Sequence, residues 1–293
     1  MSPRRTAPRG KTAKQDSSTV VVATAVAAVI AAAAILFFVS RDGDSAGTAA
    51  PVGMAHVHGL AVDPADGQLL AGTHFGAFRV GEDGKLEQFG PVQDFMGFSV
   101  AGPGHYLASG HPGADQGGPG NLGLIESTDG GRTWETVSLE GEADFHTLEV
   151  RHGRVYGSSG GQLMVSEDKK NWDRRASIPI GDLAISPEDP DTLLVTTQEG
   201  LGISTDGGRR FTSLAGAPAL LLLTWTDDGT LIGVDPVGTV HLSDDGGRTW
   251  GERGNAGGQP GALTATDEEI FIATRDGQVV ESSDGGKTFQ RLV

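Results

Sequence analysis

Two histidines stand one residue apart in the segment MAHVHGLAVDP, which covers residues 54–64. His56 and His58 precede a short apolar run typical of a β-strand, in which alternate side chains share a face. Both imidazoles are therefore expected to point the same way. Imidazole is a frequent ligand of transition metals, so a pair in a chain with only eight histidines is a first candidate site.

The elements that position this pair follow from an internal repeat. Four close copies of one motif read STDGGRTW (127–134), STDGGRRF (204–211), SDDGGRTW (243–250) and SSDGGKTF (282–289). A weaker copy is SEDKKNW (166–172), and GEDG (81–84) is a remnant. The central aspartates lie 38 to 46 residues apart. A nearly constant period of about 40 residues indicates a repeat architecture.

Each copy has the composition of a tight β-hairpin. The aspartate side chain accepts backbone N–H groups of its own turn, and the glycine pair permits positive φ. Strand-like residues stand on both sides, and two further strands fit before each hairpin, which makes four strands per period. The pattern predicts an all-β, six-bladed β-propeller over residues 55–293. The six predicted blades are 55–91, 92–140, 141–178, 179–215, 216–255 and 256–293.

These copies resemble the Asp-box, or BNR, repeats of the sialidase-like and sortilin-like β-propeller superfamily. The segments HVHGLAVDP, QDFMGFSV, SGHPG and GEADFHTL are similar to those of a bacterial membrane-anchored set labelled glycosyl hydrolase. The resemblance implies a propeller with the aspartate motif in the turn between the third and fourth strands of each blade. It implies no particular activity, because unrelated functions share this fold.

Aligning the six repeats against one another answers why His56 and His58 stand together. The innermost strand of a blade begins, and the second strand ends, on the same face of a propeller. The side chains at these positions in the first three blades are rich in histidine and carboxylate, and we expect them to gather at one mouth of the central channel. They are His56, His58, His74, Asp94, Met96, His111, Asp144 and His146. This set predicts a site for copper, zinc or manganese, and the Met96 thioether favours copper.

Two other functions remain open from the residues alone. Asp94 and Asp144 occupy equivalent positions in adjacent blades, so they are candidate catalytic carboxylates of a glycoside hydrolase. A metal-free module that binds a protein or glycan partner on the same face is the other alternative. A sialidase is disfavoured because the predicted mouth holds one arginine, Arg275, and both tyrosines, Tyr106 and Tyr156, fall within strands.

Blade two carries an insertion relative to the other blades. The surplus residues are HPGADQGGPGN (111–121), between the predicted second and third strands. They lie on the same face as the histidines, where a long loop is suited to cover a site. A tolerated surface insertion explains the same residues equally well.

The amino terminus predicts attachment to a membrane. Residues 1–18 carry a net charge of +4, and Val20 to Val39 form an uncharged apolar run long enough to span a bilayer. We therefore expect a cytoplasmic tail at 1–18, a transmembrane helix at 19–40, a tether at 41–54 and an extracytoplasmic propeller. A cleaved signal peptide is the alternative, although its apolar region is usually shorter.

Charge and cysteine content exclude several classes of function. Beyond residue 18 the chain has 17 basic and 37 acidic residues, a net charge of −20. Such a domain repels phosphate backbones, so no nucleic-acid partner is expected. The absence of cysteine excludes disulfides, thiolate metal ligands and a cysteine nucleophile.

Overall fold

The protein forms a six-bladed β-propeller. The structure is a computed structural model that describes Met54 and residues 56–293. Within these residues the chain forms 24 strands arranged as six antiparallel sheets of four strands each. Every sheet is one contiguous stretch of chain, and its strands pair in sequence order. The all-β, six-bladed prediction is confirmed.

The strands of each blade are labelled A to D from the channel outward. The A strands are β1 (Val57–Val62), β5 (Asp94–Gly102), β9 (Thr147–Arg151), β13 (Asp182–Ile185), β17 (Leu222–Trp225) and β21 (Pro260–Ala265). The B strands are β2 (Leu69–Thr73), β6 (His105–His111), β10 (Arg154–Ser159), β14 (Leu193–Thr197), β18 (Leu231–Val234) and β22 (Ile270–Thr274). The C strands are β3 (Gly76–Val80), β7 (Leu124–Ser127), β11 (Gln162–Ser166), β15 (Gly200–Ser204), β19 (Thr239–Ser243) and β23 (Val279–Ser282). The D strands are β4 (Leu86–Phe89), β8 (Glu135–Ser138), β12 (Asp173–Ser177), β16 (Thr212–Ser213), β20 (Gly251–Asn255) and β24 (Gln290–Arg291).

The hydrophobic core lies largely between neighbouring blades. One cluster of buried residues joins blade one to blade six and closes the ring. It packs Met54, Val57 and Leu60 against Phe271 and Val279. Met54, at the end of the predicted tether, is thus part of the propeller core. Burial of apolar side chains between sheets is the main stabilising contribution available to such a ring.

The aspartate motifs form the turns between strands C and D. In blade two, Asp129 Oδ1 accepts the backbone N–H of Thr133 at 3.0 Å, and Ser127 Oγ accepts that of Gly131 at 2.9 Å. Gly130 and Gly131 have φ of 76° and 81°, which only glycine adopts without strain. The N–H of Gly130 donates to the carbonyl of Gly104 in the A–B turn. These turns therefore lie on the face opposite to the start of the A strands.

The predicted segments at the amino terminus fall outside the described residues. These are the tail at 1–18, the transmembrane helix at 19–40 and, apart from Met54, the tether at 41–54. Among the residues that the structure describes, no helix has the length and apolarity needed to cross a bilayer.

Candidate metal centre at the mouth of the propeller channel

Buried residues anchor the candidate site from within the blade interfaces. Three triplets at the start of the first three A strands each place a fully buried side chain between two less buried ones. The central residues Val57, Phe95 and Phe145 are at most 4% exposed. Alternation along a strand then directs the flanking side chains to the other face. The triplets are His56-Val57-His58, Asp94-Phe95-Met96 and Asp144-Phe145-His146.

The alignment of repeats is confirmed by equivalent β-bulges. His58 is the extra residue of a bulge in β1, and Met96 is the extra residue of a bulge at the same place in β5. Gly261 lies at a third such bulge in β21. A bulge redirects the side chain of its extra residue, so these positions differ in direction from ordinary strand residues. The bulges explain how His58 reaches its partners at the blade interface.

His58, His74 and Asp94 form a cluster between blades one and two. His74 Nδ1 lies 2.7 Å from Asp94 Oδ1, and because a carboxylate oxygen accepts, the imidazole donates there. The other nitrogen of that ring, Nε2, lies 3.1 Å from His58 Nε2. One potential ligand atom from each of the three residues falls within 4.8 Å of the others. Two imidazoles and one carboxylate at these distances could hold a metal ion.

His56 adds a third imidazole beside this cluster. Its ring centroid lies 5.4 Å from that of His74, and its side chain is exposed. Its φ is 58°, a left-handed conformation that non-glycine residues adopt at a cost. Strained backbone of this kind is concentrated at functional sites.

The electrostatic surroundings keep His58 neutral. Burial, together with the neighbouring imidazoles His74, His56 and His146, lowers the pKa of His58 to about 4, although Asp94 opposes them. At neutral pH the ring is therefore uncharged and carries a free lone pair on one nitrogen. A neutral imidazole is the form that binds a metal.

His111, Asp144 and His146 form a second cluster between blades two and three. His146 Nε2 lies 2.8 Å from Asp144 Oδ2, and His111 Nε2 lies 3.5 Å from the same oxygen. Burial acts to raise the pKa of Asp144, but the His146 hydrogen bond and the nearby imidazole charges outweigh it and leave the pKa below its usual range. The hydrogen bond to Asp144 correspondingly raises the pKa of His146.

Seven of the eight predicted site residues fall into two contact groups. Side-chain contacts join His56, His58, His74 and Asp94, and separately His111, Asp144 and His146. Met96 is half-buried at its bulge in β5. The two groups are near enough to influence each other, since charge on His146 acts on the pKa of His58. The residues that the alignment assigns to the mouth thus form two adjacent contact clusters.

The two aspartates are poorly suited to act as a glycosidase pair. Asp94 accepts from His74, and Asp144 accepts from His146. The general acid of a glycoside hydrolase needs a raised pKa, whereas the pKa of Asp144 is lowered. The tyrosines are also structural, because Tyr106 Oη donates to Asp63 and Tyr156 Oη donates to the Pro190 carbonyl. No tyrosine among the described residues is placed as a nucleophile.

Two carboxyl groups inside the channel were missed by sequence reasoning. The channel is a cavity of about 840 Å³ lined by all six A strands, with His58, His146 and Arg275 at the mouth. Glu149 and Asp182 project from its wall. Burial, reinforced by Asp182, raises the pKa of Glu149 to about 7 against the opposing charge of Arg151. Burial also raises the pKa of Asp182 to about 7, although the Leu223 and Leu183 N–H groups act in the opposite direction.

Arg151 crosses the channel at the end away from the histidines. Its guanidinium donates to the carbonyl oxygens of Ile185 and Trp225 at 2.9 and 2.8 Å and pairs with Asp227. These bonds tie blade three to blades four and five. At the position of Glu149, the other A strands have small, apolar or hydroxyl residues. This contrast among the repeats is the sequence signal that distinguishes Glu149 as a candidate channel carboxyl.

Comparison with solved structures places the fold among known propellers. A GH74 enzyme from Niastella koreensis matches with a TM-score of 0.61 at 16% identity, covering 84% of this chain and 46% of that enzyme. A gluconolactonase from Xanthomonas campestris matches with a TM-score of 0.61 at 16% identity, over 75% of this chain and 84% of that one. YCF48 bound to a D1 peptide matches with a TM-score of 0.52 at 17% identity, over 82% and 83%.

These likenesses show the fold alone, because the identities are far too low to carry a function. The chain spans less than half the length of the GH74 enzyme. No known protein-family model matches the sequence, and no curated protein matches it by sequence.

Proposed function

We propose that this protein binds a transition-metal ion at the channel mouth through His58 and His74, with Asp94 orienting the site. The observation that carries the proposal is the distance of 3.1 Å between the two Nε2 atoms. Two imidazoles bound to one tetrahedral ion, with metal–nitrogen bonds of about 2.0–2.1 Å, have nitrogen atoms about 3.3 Å apart. The two rings therefore need little movement to share an ion, which would replace the proton that His58 Nε2 donates to His74 Nε2.

The contact between Asp94 and His74 supports this proposal. Because His74 donates its Nδ1 proton to the carboxylate, its lone pair is on Nε2, which faces His58. Metal-ligating histidines commonly have a carboxylate on the other ring nitrogen, which fixes the tautomer and increases ligand basicity. His56 is placed to supply a third imidazole. Copper, zinc and manganese are the candidate ions for such a donor set.

The same face is also proposed to receive a protein partner. The described residues include three large hydrophobic side chains that are strongly exposed: Phe75, Val92 and Val237. Phe75 and Val237 lie in B–C turns, and Val92 precedes β5, so all three lie on the face of the histidines. Phe75 follows His74 directly, and Val92 precedes Asp94 by two residues. Exposed apolar side chains around a polar site are typical of interaction surfaces.

Metal binding is tested on the full-length chain, purified in detergent without a histidine tag and stripped with a chelator. We expect about one or more equivalents of copper, zinc or manganese to remain after incubation with each ion and dialysis. The His58→Ala, His74→Ala double variant should lose binding at this site, and Asp94→Asn should weaken it about 10–100-fold. His105→Gln is the matched control, because His105 pairs with Glu126 away from the mouth. A wild-type chain that retains none of the three ions contradicts the proposal and leaves the partner surface as the function.

We further propose that residues 19–40 anchor the chain in the cell membrane with the propeller outside. The 20-residue uncharged run preceded by a basic tail supports this topology. Protease added to intact cells that express the chain should remove the propeller and leave a membrane-bound fragment. Recovery of the intact propeller in the medium, with a new amino terminus near residue 50, would favour a cleaved signal peptide.

A further inference from the structure

The contact between histidine and aspartate at the first blade interface recurs at the second. His74 directly follows strand B of blade one and faces Asp94 of blade two; His111 ends strand B of blade two and faces Asp144 of blade three. Rotation by one blade therefore relates one pair to the other. Met96, at its bulge in β5, then corresponds to His58. In the strand register, a thioether thus stands in blade two where blade one has the imidazole of His58.

The two ring nitrogens of His111 both face oxygen acceptors. Its Nδ1 lies 2.8 Å from the carbonyl oxygen of Gly120 in the inserted loop and must donate to it. In a neutral ring the lone pair is then on Nε2, which lies 3.5 Å from Asp144 Oδ2. Two acceptors facing each other repel unless a proton or a metal ion lies between them. The inserted loop thus holds His111 in the tautomer that a metal requires.

The second carboxylate oxygen of Asp144 has no hydrogen-bond donor among the described residues. This atom, Oδ1, is buried. Leaving a buried carboxylate oxygen unsatisfied is costly, so such an atom in a folded protein usually has a water molecule or an ion as its partner. The lone pair of His111 faces Oδ2 of the same carboxylate whose Oδ1 lacks a donor, so a cation bound to Asp144 would meet both groups.

We infer that the mouth binds a second transition-metal ion, held by His111, Asp144 and His146 with Met96 as a soft ligand. This inference rests on the proposed function, because the second ion sits one blade from the first. The Met96 thioether makes copper the preferred ion at this second position. His146 now donates its Nε2 proton to Asp144 and releases that proton when it binds the ion. The channel mouth is thus a two-ion centre spanning three blades.

The test is the stoichiometry of copper and zinc on the full-length chain, measured by calorimetric titration and by elemental analysis after dialysis. The wild type should bind two copper ions. His111→Ala and His74→Ala should each retain one ion, and the double variant none. Met96→Leu should keep the stoichiometry but weaken the second copper at least about tenfold, with a smaller effect on zinc. His105→Gln should retain two.

The outcomes separate this inference from the proposed function. A single copper ion that is lost in His74→Ala and unaffected in His111→Ala overturns the second site and leaves the first. A single ion lost in either variant also overturns it, because one shared site then uses both clusters. Thermal unfolding curves identify variants that do not fold, and for His111 the less disruptive His111→Gln then replaces alanine. A wild type without any bound ion overturns both proposals together.

Discussion

Phe145→Ala is expected to lower the free energy of unfolding by about 3–5 kcal/mol, the range for removing a large aromatic side chain from a packed core. Phe145 is fully buried and packs on Trp172 with ring centroids 4.9 Å apart. Gly157 lies beneath the ring, and a Cβ there would stand 2.5 Å from Phe145 Cδ1. The close fit leaves little freedom for the interface to collapse into the cavity.

The same substitution should also loosen the second cluster. Phe145 stands between Asp144 and His146 in the chain, so its burial holds both side chains at the mouth. Urea unfolding followed by tryptophan fluorescence measures the loss, since all four tryptophans lie within the propeller. Phe75→Ala is the control, because that ring is 47% exposed and its removal should change stability by less than about 0.5 kcal/mol. Equal effects of the two substitutions would contradict the anchoring role.

The repeat explains why so much of the fold can be read from the sequence. Each copy of the aspartate motif determines its own turn through local features. In blade two, Asp129 accepts the backbone N–H of Thr133, and Gly131 supplies a positive φ. Six such turns at a constant period leave few arrangements other than a propeller. Comparison among repeats also places His58 and Met96 at equivalent positions, and the bulges in β1 and β5 confirm that equivalence.

The division of the site into two clusters could not be read in the same way. Whether His111 joins His58 or Asp144 depends on side-chain directions at bulges and on the twist between blades, which a one-dimensional alignment does not contain. The bond from His111 to Gly120 depends further on the path of the inserted loop. The alignment therefore identifies the mouth residues and not their partners.

Glu149 and Asp182 were missed for a different reason. An acidic residue in a strand is ordinarily solvated, and only closure of the ring places these two in the channel wall. Their raised pKa values arise from burial by six blades that are distant in sequence. The local sequence around each carboxyl therefore does not predict its burial.

The channel carboxyls make stability depend on pH. Both groups have pKa values of about 7 when folded, against ordinary values of 4.5 and 3.8. Between those limits the folded state binds more protons than the unfolded state, so the free energy of unfolding falls as pH rises from about 4 to about 7. His58 acts in the opposite direction, since its lowered pKa makes the folded state gain stability from about pH 4 to 6.5. The contribution of one carboxyl is therefore best isolated by substitution.

Glu149→Gln is expected to stabilise the protein at pH 8 relative to wild type, on the order of 2 kcal/mol, and to have little effect at pH 4. The glutamine amide does not ionise, so the cost of holding a carboxylate in the channel disappears. No side-chain hydrogen bond of Glu149 is lost among the described residues, unlike Asp182, which accepts from Leu183 and Leu223. Urea unfolding at pH 4, 6 and 8 gives the difference between the two proteins at each pH. Glu135→Gln, an exposed change on strand D of blade two, is the control and should show no such pH dependence. Parallel curves for wild type and Glu149→Gln from pH 4 to 8 would show that Glu149 ionises as freely in the channel as in the unfolded chain.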